Sequence, residues 1–350
     1  MPSSFLPPLP DSANKTSSRT KPGFWPSPFI RIAGSLLILT TLLIFVPFNQ
    51  VWSAMKRIPT SLSLGLLGGY MVLHLLGVAK WRLLINLAGA DLTFRQAVRC
   101  YYGGLFGNVF LPSLVGGDLV RGGMAFLVSR SKAAIVLGSL IDRAGDVIGL
   151  AAVAGMGVLL LPSSLDPQSR RVFLAVVVVL TLAGAVGVGS LLAIPVRRFP
   201  YRARRIIVKL RRGIRSMVGR PGRVFLCLCL GVVLQFTQVV INAWLGVASG
   251  LHIAFGAWLF AWPLAKLSAL LPLTQGGIGV REVALVGLLV PFGAPPVLSA
   301  AAGLVFEAIT TIGGLIAGVV AFLLGRLSPA ATRPRPDLPA LATGPRPDAP

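Results

Sequence analysis

Long apolar runs separated by short basic breaks dominate this chain. Six runs, at 30–48, 62–79, 133–161, 172–195, 224–248 and 297–325, come close to or exceed the roughly 20 apolar residues that a helix needs to cross a hydrocarbon core. Two further apolar regions, 95–128 and 255–292, are each interrupted by a stretch of odd composition: LPSLVGGDLVR at 111–121 and LPLTQGGIGVR at 271–281. Laid over one another without gaps, the two share Leu, Pro, both glycines, Val and Arg, so a P-x-x-x-G-G-x-x-x-R spacing recurs 160 residues apart.

Orientation follows from one segment. Between Arg197 and Arg223 stand eleven Lys or Arg residues and no acid, which places that loop in the cytoplasm. Counting outward from it, span 172–195 enters the loop and 133–161 leads away from the cytoplasm, with Arg130 and Lys132 at its cytoplasmic flank; span 62–79 ends on the same side at Lys80 and Arg82. Region 95–128 therefore starts and finishes inside and must be re-entrant or lie along the surface, whereas 255–292 starts and finishes outside. Lys56 and Arg57 fall in an outer loop, against the rule. Span, re-entrant segment, span thus occurs twice with opposite topology, the arrangement of inverted repeats with broken helices near the midplane. The pattern predicts an all-α, polytopic helical membrane protein of about six full spans plus two re-entrant broken-helix hairpins. Its organisation is a disordered cytoplasmic tail at 1–29 and a transmembrane domain at 30–326. Units at about 62–161 and 224–325 are joined in that domain by the basic cytoplasmic loop 196–223, and a disordered Pro-rich tail follows at 327–350.

Composition narrows this further. The 350 residues are 55% hydrophobic and only 12% charged, with a mean hydropathy of +0.81, whereas a soluble domain carries about 25% charged residues. The net charge of +23 follows membrane topology rather than nucleic-acid binding, because no aromatic-interleaved basic motif accompanies it. The polar first 29 residues lack a small-x-small cleavage site, so the first span is expected to be retained. The three cysteines, Cys100, Cys227 and Cys229, read as packing residues, and His74 and His252 stand alone. Neither a G-x-x-x-x-G-K-[ST] loop nor H-E-x-x-H is present, and no cofactor or metal is expected.

The two motifs carry the candidate chemistry. Pro112 and Pro272 cannot continue a helix, and Gly116–Gly117 and Gly276–Gly277 permit tight or left-handed backbone. Each motif is read as a backbone break inside the membrane, tolerated only where protein or a wet cavity covers it. The helix restarting after the glycines would point its amides at that cavity, and Arg121 and Arg281 suit a bidentate grip on phosphate. Asn108, Asp118, Gln275 and Glu282 are further headgroup candidates. In LIDRAGDVIGL, Asp142 and Asp146 share a helix face near mid-span, and Glu307 lies at similar depth in the other unit. With Arg143 they form an expected buried charge network, because a charge at the bilayer centre is tolerated only when it pairs or meets water. The expected pairs join Arg121 or Arg143 to Asp118, Asp142 or Asp146, and Arg281 to Glu282 or Glu307. Gly145 and Gly149 would allow close helix approach.

Together, GNVFLPSLVGGDLVRGGMAF, IDRAGDVIGL and LPLTQGGIGVREVAL resemble the lysylphosphatidylglycerol synthase transmembrane-region family, the flippase-like domain of the multiple peptide resistance factor proteins. The resemblance spans nearly the whole chain between the tails. It implies that Asn108, Pro112, Gly116, Gly117, Asp118, Arg121, Arg143, Asp146, Gly276, Gly277, Arg281 and Glu282 are characteristic positions. Asp142 stands where a glutamate is usual in the family. Full-length synthases continue into a soluble aminoacyl-transfer domain, and the short Pro-rich tail here leads to the expectation that this chain is no synthase.

These readings converge on translocation of a phosphate-bearing phospholipid or polyprenyl-type lipid between leaflets of a bacterial inner membrane. Both termini are expected to be cytoplasmic. The expected partners are membrane lipids with anionic or phosphate headgroups, with room for a homo-oligomer or a partner from envelope biosynthesis. The rivals are a membrane enzyme acting on a lipid phosphate and a regulatory membrane subunit. Arg121→Ala and Arg281→Ala are each expected to leave the protein inserted but abolish exchange.

Overall fold

The structure is a computed structural model describing residues 47–111, 114–129, 131–161, 200–269 and 279–326, with four single positions between 171 and 189. Ten α-helices and no strand occur among the described residues. In chain order they are α1 (Phe48–Arg57), α2 (Thr60–Leu87), α3 (Phe94–Phe110), α4 (Leu114–Val128), α5 (Lys132–Leu160), α6 (Tyr201–Val218), α7 (Pro221–Ser249), α8 (Phe255–Ser268), α9 (Val280–Leu289) and α10 (Pro296–Arg326). A 3₁₀ turn at Val290–Phe292 follows α9. Helices α2, α5, α7 and α10, at 28 to 31 residues, are long and apolar enough to cross a membrane. The protein is an all-α, multi-pass membrane protein. Nearly all of the expected spans 172–195 and 30–48, together with Pro112, Pro272, Gln275, Gly276 and Gly277, lie outside the described residues, as do both tails.

Local chemistry accounts for several helix starts. Thr93 caps α3 reciprocally: its hydroxyl accepts the Gln96 N–H at 3.3 Å while the Gln96 side chain accepts the Thr93 N–H at 2.9 Å. Ser131 accepts the Ala134 N–H to begin α5, and Pro221 opens α7, where its missing N–H is not needed.

The helices fall into two series with matching contacts, α2–α5 and α7–α10. In each, the two short helices pair as a hairpin, α3 on α4 and α8 on α9. The first arm of each hairpin then packs against the closing span of the other unit, α3 on α10 and α8 on α5. Glycines make these exchanged contacts close. A methyl on Gly157 of α5 would run into the backbone of Phe260 in α8, and one on Gly314 of α10 would meet Val109 and the Leu105 carbonyl of α3. Small residues are the main route to tight helix packing in lipid, where apolar burial between helices gains little. Gly149 fits in the same way against Gly231 of α7, while Gly145 contributes its carbonyl.

Three expectations change. First, Gly116 and Gly117 do not break the backbone; both are residues of α4. Gly117 is required for approach, because a methyl there would overlap Asn108 Oδ1 and the Gly104 carbonyl oxygen. The hairpin arms touch at backbone distance, and Asn108 Oδ1 accepts the Gly117 N–H at 2.9 Å. Gly117→Ala is therefore expected to cost about 1–3 kcal/mol through overpacking, read as a lower unfolding temperature in detergent; wild-type stability would mean the arms separate easily.

Second, Lys80 does not mark the end of a span. Helix α2 continues to Leu87, and Lys80 is 3% exposed inside the protein. Third, most of the basic segment is helix rather than loop. Helix α6 buries Ile214 and Met217 while Arg204, Arg212 and Arg215 stay exposed. Its Gly213 seats against Leu137 and Ala88, so the basic face lies on a helix held against α2 and α5. The segment carrying Lys56 and Arg57 is likewise helical, as α1, with Val51 and Ala54 buried in a cluster with Ala300 and Ala301 of α10.

Candidate functional site: a polar cavity between the two units

Ten acidic residues occur in the whole chain, and five of them gather in two buried networks. In the first, Lys80 of α2 lies 3.0 Å from Asp142 and also pairs with Asp146. Arg121 Nη2 stands 3.0 Å from Asp118 and 3.2 Å from Asp142. Arg143 pairs with Asp118 and stands 3.7 Å from Asp146. Lys80, Arg121 and Arg143 thus face Asp118, Asp142 and Asp146, so the charges balance. Balance is what makes such a cluster tolerable in low dielectric, where a buried ion without its partner carries the full desolvation penalty.

The second network is smaller. Arg281, one residue into α9, lies 2.9 Å from Glu282 and pairs with Glu307 of α10. Glu282 is 1% exposed, and its other oxygen accepts the Gly279 N–H at 2.7 Å. Gly279 holds φ at +88°, a conformation that strongly favours glycine. The carboxylate of Glu282 therefore closes the start of α9, taking an amide that the sequence reading reserved for a headgroup.

The two motif arginines occupy similar surroundings. The Arg121 guanidinium lies over Trp81 at 4.9 Å and Tyr101 at 5.1 Å, and that of Arg281 over Trp262 at 5.4 Å and Phe306 at 5.3 Å. Stacking of this kind favours a desolvated cation.

Between the networks lies a cavity of ≈ 230 Å³. Its wall draws on both units: Lys80, Tyr101, Asn108, Arg143 and Asp146 come from the first, and Gln238, Lys266, Arg281, Glu307 and Thr310 from the second. Lys266 of α8 has neutral partners. Its ammonium donates to Gln235 at 2.8 Å and to Gln238, and among the described residues no carboxylate lies within ion-pair distance of it. His74 also faces the cavity, edge-on to Tyr70 with ring centroids 4.3 Å apart.

The expected site residues divide accordingly. Asn108, Arg281, Arg143, Asp146 and Glu307 line the cavity. Arg121 does not: at 5% exposure it is closed in by Trp81, Tyr101 and two aspartates. Asp118, Asp142 and Glu282 also lie off the cavity, acting on arginines or on backbone. Gln275 is outside the described residues. The cavity's Lys80, Gln235, Gln238 and Lys266 were not among the candidates. The one signal for Lys266 is a lone lysine within FAWPLAKLSAL, an apolar run with no acid near it.

Residues 29–318 match the family model described as the Lysylphosphatidylglycerol synthase TM region. No curated protein matches the chain.

Proposed function

We propose, from the premise that the chain belongs to the lysylphosphatidylglycerol synthase TM region family, that it moves a phosphate-bearing lipid between membrane leaflets. Membership makes it a membrane domain of lipid-related proteins. The observation that carries the translocation reading is the cavity whose wall is shared by both units and contains Lys266, bonded among the described residues to amides alone. A phosphate oxygen there would give that ammonium a charge-assisted bond stronger than those to the neutral glutamines. Arg143 and Arg281 stand on the same wall, each held by carboxylates that a ligand phosphate can replace. Because the wall is split between two packed units, a rocking motion of one against the other would open it to either side. The proposal places the protein in a bacterial inner membrane with both termini cytoplasmic, acting as a transporter rather than an enzyme.

Purified protein in liposomes tests this with headgroup-labelled phospholipids whose outer-leaflet fraction is followed over time. Leaflet exchange well above that of protein-free liposomes, with the lipid chemically unchanged, is the expected result. A modified lipid would identify an enzyme, and exchange that starts only on adding a partner would identify a subunit.

A further inference from the structure

A second cavity opens beside the first. It occupies ≈ 500 Å³ between α4 and α5, and most of its lining is apolar: Leu119, Phe126, Val136 and Leu140 surround Gly122 and Gly123. Leu119 is 72% exposed and Leu140 63%, so the groove opens on the outer, lipid-facing side of the candidate span α5. Its other end is polar, formed by Asp118, Arg143, Asp146, Gln235 and Lys266. The last four of these also line the polar cavity. The two spaces therefore meet at one charged wall, with the Asp118–Arg143 ion pair on the groove side.

We infer that this groove seats a hydrocarbon chain of the lipid whose headgroup enters the polar cavity, and that the Asp118–Arg143 pair is the threshold between them. The inference rests on the translocation reading and adds the place where the chain lies. An occupant that satisfies both ends must be amphiphilic, with an anionic group near Arg143 and Lys266 and a flexible apolar chain reaching Leu119 and Leu140. A soluble phosphate compound would leave the apolar groove unfilled. A helix from a second copy would stop at the groove mouth and leave its polar end unused. A membrane lipid fits both ends, because its chain is already in the bilayer onto which the groove opens. The glycines make room for it: a methyl on Gly122 or Gly123 would meet no atom within 4 Å.

That open space supplies a test that spares the fold. Gly122→Leu and Gly123→Leu add side chains to the groove lining where a first carbon meets no atom within 4 Å, at helix positions where leucine is preferred to glycine. Gly68→Leu, at an equally open position on α2, is the control. Two readouts are taken in liposomes: leaflet exchange, and labelling by a phospholipid carrying a photoactivatable group in its acyl chain. Ser139 lines the groove and is half-buried, so a chain lying there can reach it, and loss of its labelling in the double glycine variant separates a chain inside from bulk lipid. The expected result is labelled Ser139 and active exchange in the wild type and Gly68→Leu. In the double glycine variant both should fall at least tenfold, with the unfolding temperature kept. Wild-type exchange in the double variant, or an unlabelled Ser139 in the wild type, overturns the groove as the chain site. A wild type that labels Ser139 but exchanges nothing keeps the chain site and sinks translocation instead.

Discussion

Arg121→Ala is expected to cost about 3–5 kcal/mol of stability, the penalty for breaking a buried ion pair from one side. The guanidinium lies within 3.2 Å of both Asp118 and Asp142, between the rings of Trp81 and Tyr101. Among the described residues its removal leaves three carboxylates facing two cations, Lys80 and Arg143, and Asp142, 2% exposed, keeps Lys80. A cavity in the aromatic stack adds to the cost. The measurement is the unfolding temperature in detergent, with fluorescence-detected size exclusion to follow loss of folded protein. The double variant Arg121→Ala with Asp142→Asn tests the cause. Restoring the balance of charge should recover part of the loss, and a non-additive double-mutant cycle would measure the coupling. Unchanged stability in Arg121→Ala would show that water reaches this network and that the balance is unimportant. The sequence points to this arginine as a headgroup ligand, but its guanidinium lies off the cavity and against two aspartates, where a structural role is the expected one.

Lys266→Gln should behave in the opposite way. Among the described residues its ammonium has amide partners only, at Gln235 and Gln238, so a neutral side chain of similar reach removes a buried charge without orphaning a carboxylate. Stability is expected to hold or rise. Lipid exchange is expected to fall at least tenfold, which corresponds to about 1.4 kcal/mol of lost interaction with the phosphate. Lys266→Arg should retain part of the exchange, because charge persists while the point-like ammonium geometry is lost. The assay is initial exchange rate in liposomes at matched protein density. If Lys266→Gln exchanges at the wild-type rate, the phosphate does not sit at α8 and the proposed headgroup site is wrong. The contrast with Arg121 is useful in itself: one cation is held by carboxylates and supports the fold, while the other is left to neutral amides and is available to a ligand.

Lys80 shows how a correct rule can misplace a residue. Basic residues after an apolar run normally mark a span's cytoplasmic end, and KWR at 80–82 follows such a run. Helix α2 nevertheless continues to Leu87, with Lys80 turned inward onto Asp142 and Asp146 and Arg82 donating to the Leu92 carbonyl at 2.8 Å. Nothing local to the lysine announces those partners, which lie more than 60 positions along the chain. The glycine pair at 116–117 is ambiguous in the sequence for a related reason. Glycine signals either unusual backbone or close approach, and the chain alone does not say which; Asn108 and Gly104, brought alongside by the hairpin, decide it.

What the amino-acid order determined by itself is the architecture: apolar runs long enough for a bilayer, two matching motifs, and acids within apolar runs that had to find cations. Those follow from one-dimensional constraints, namely hydrocarbon thickness, helical period and the energy of an unpaired charge in lipid. The folded structure alone decided which cation each acid meets, that Arg121 is sealed while Lys266 is left to amides, and that a polar cavity shares a wall with an apolar groove. Such outcomes depend on how helices from the two units cross and face one another, and side chains distant in sequence come together only through that packing.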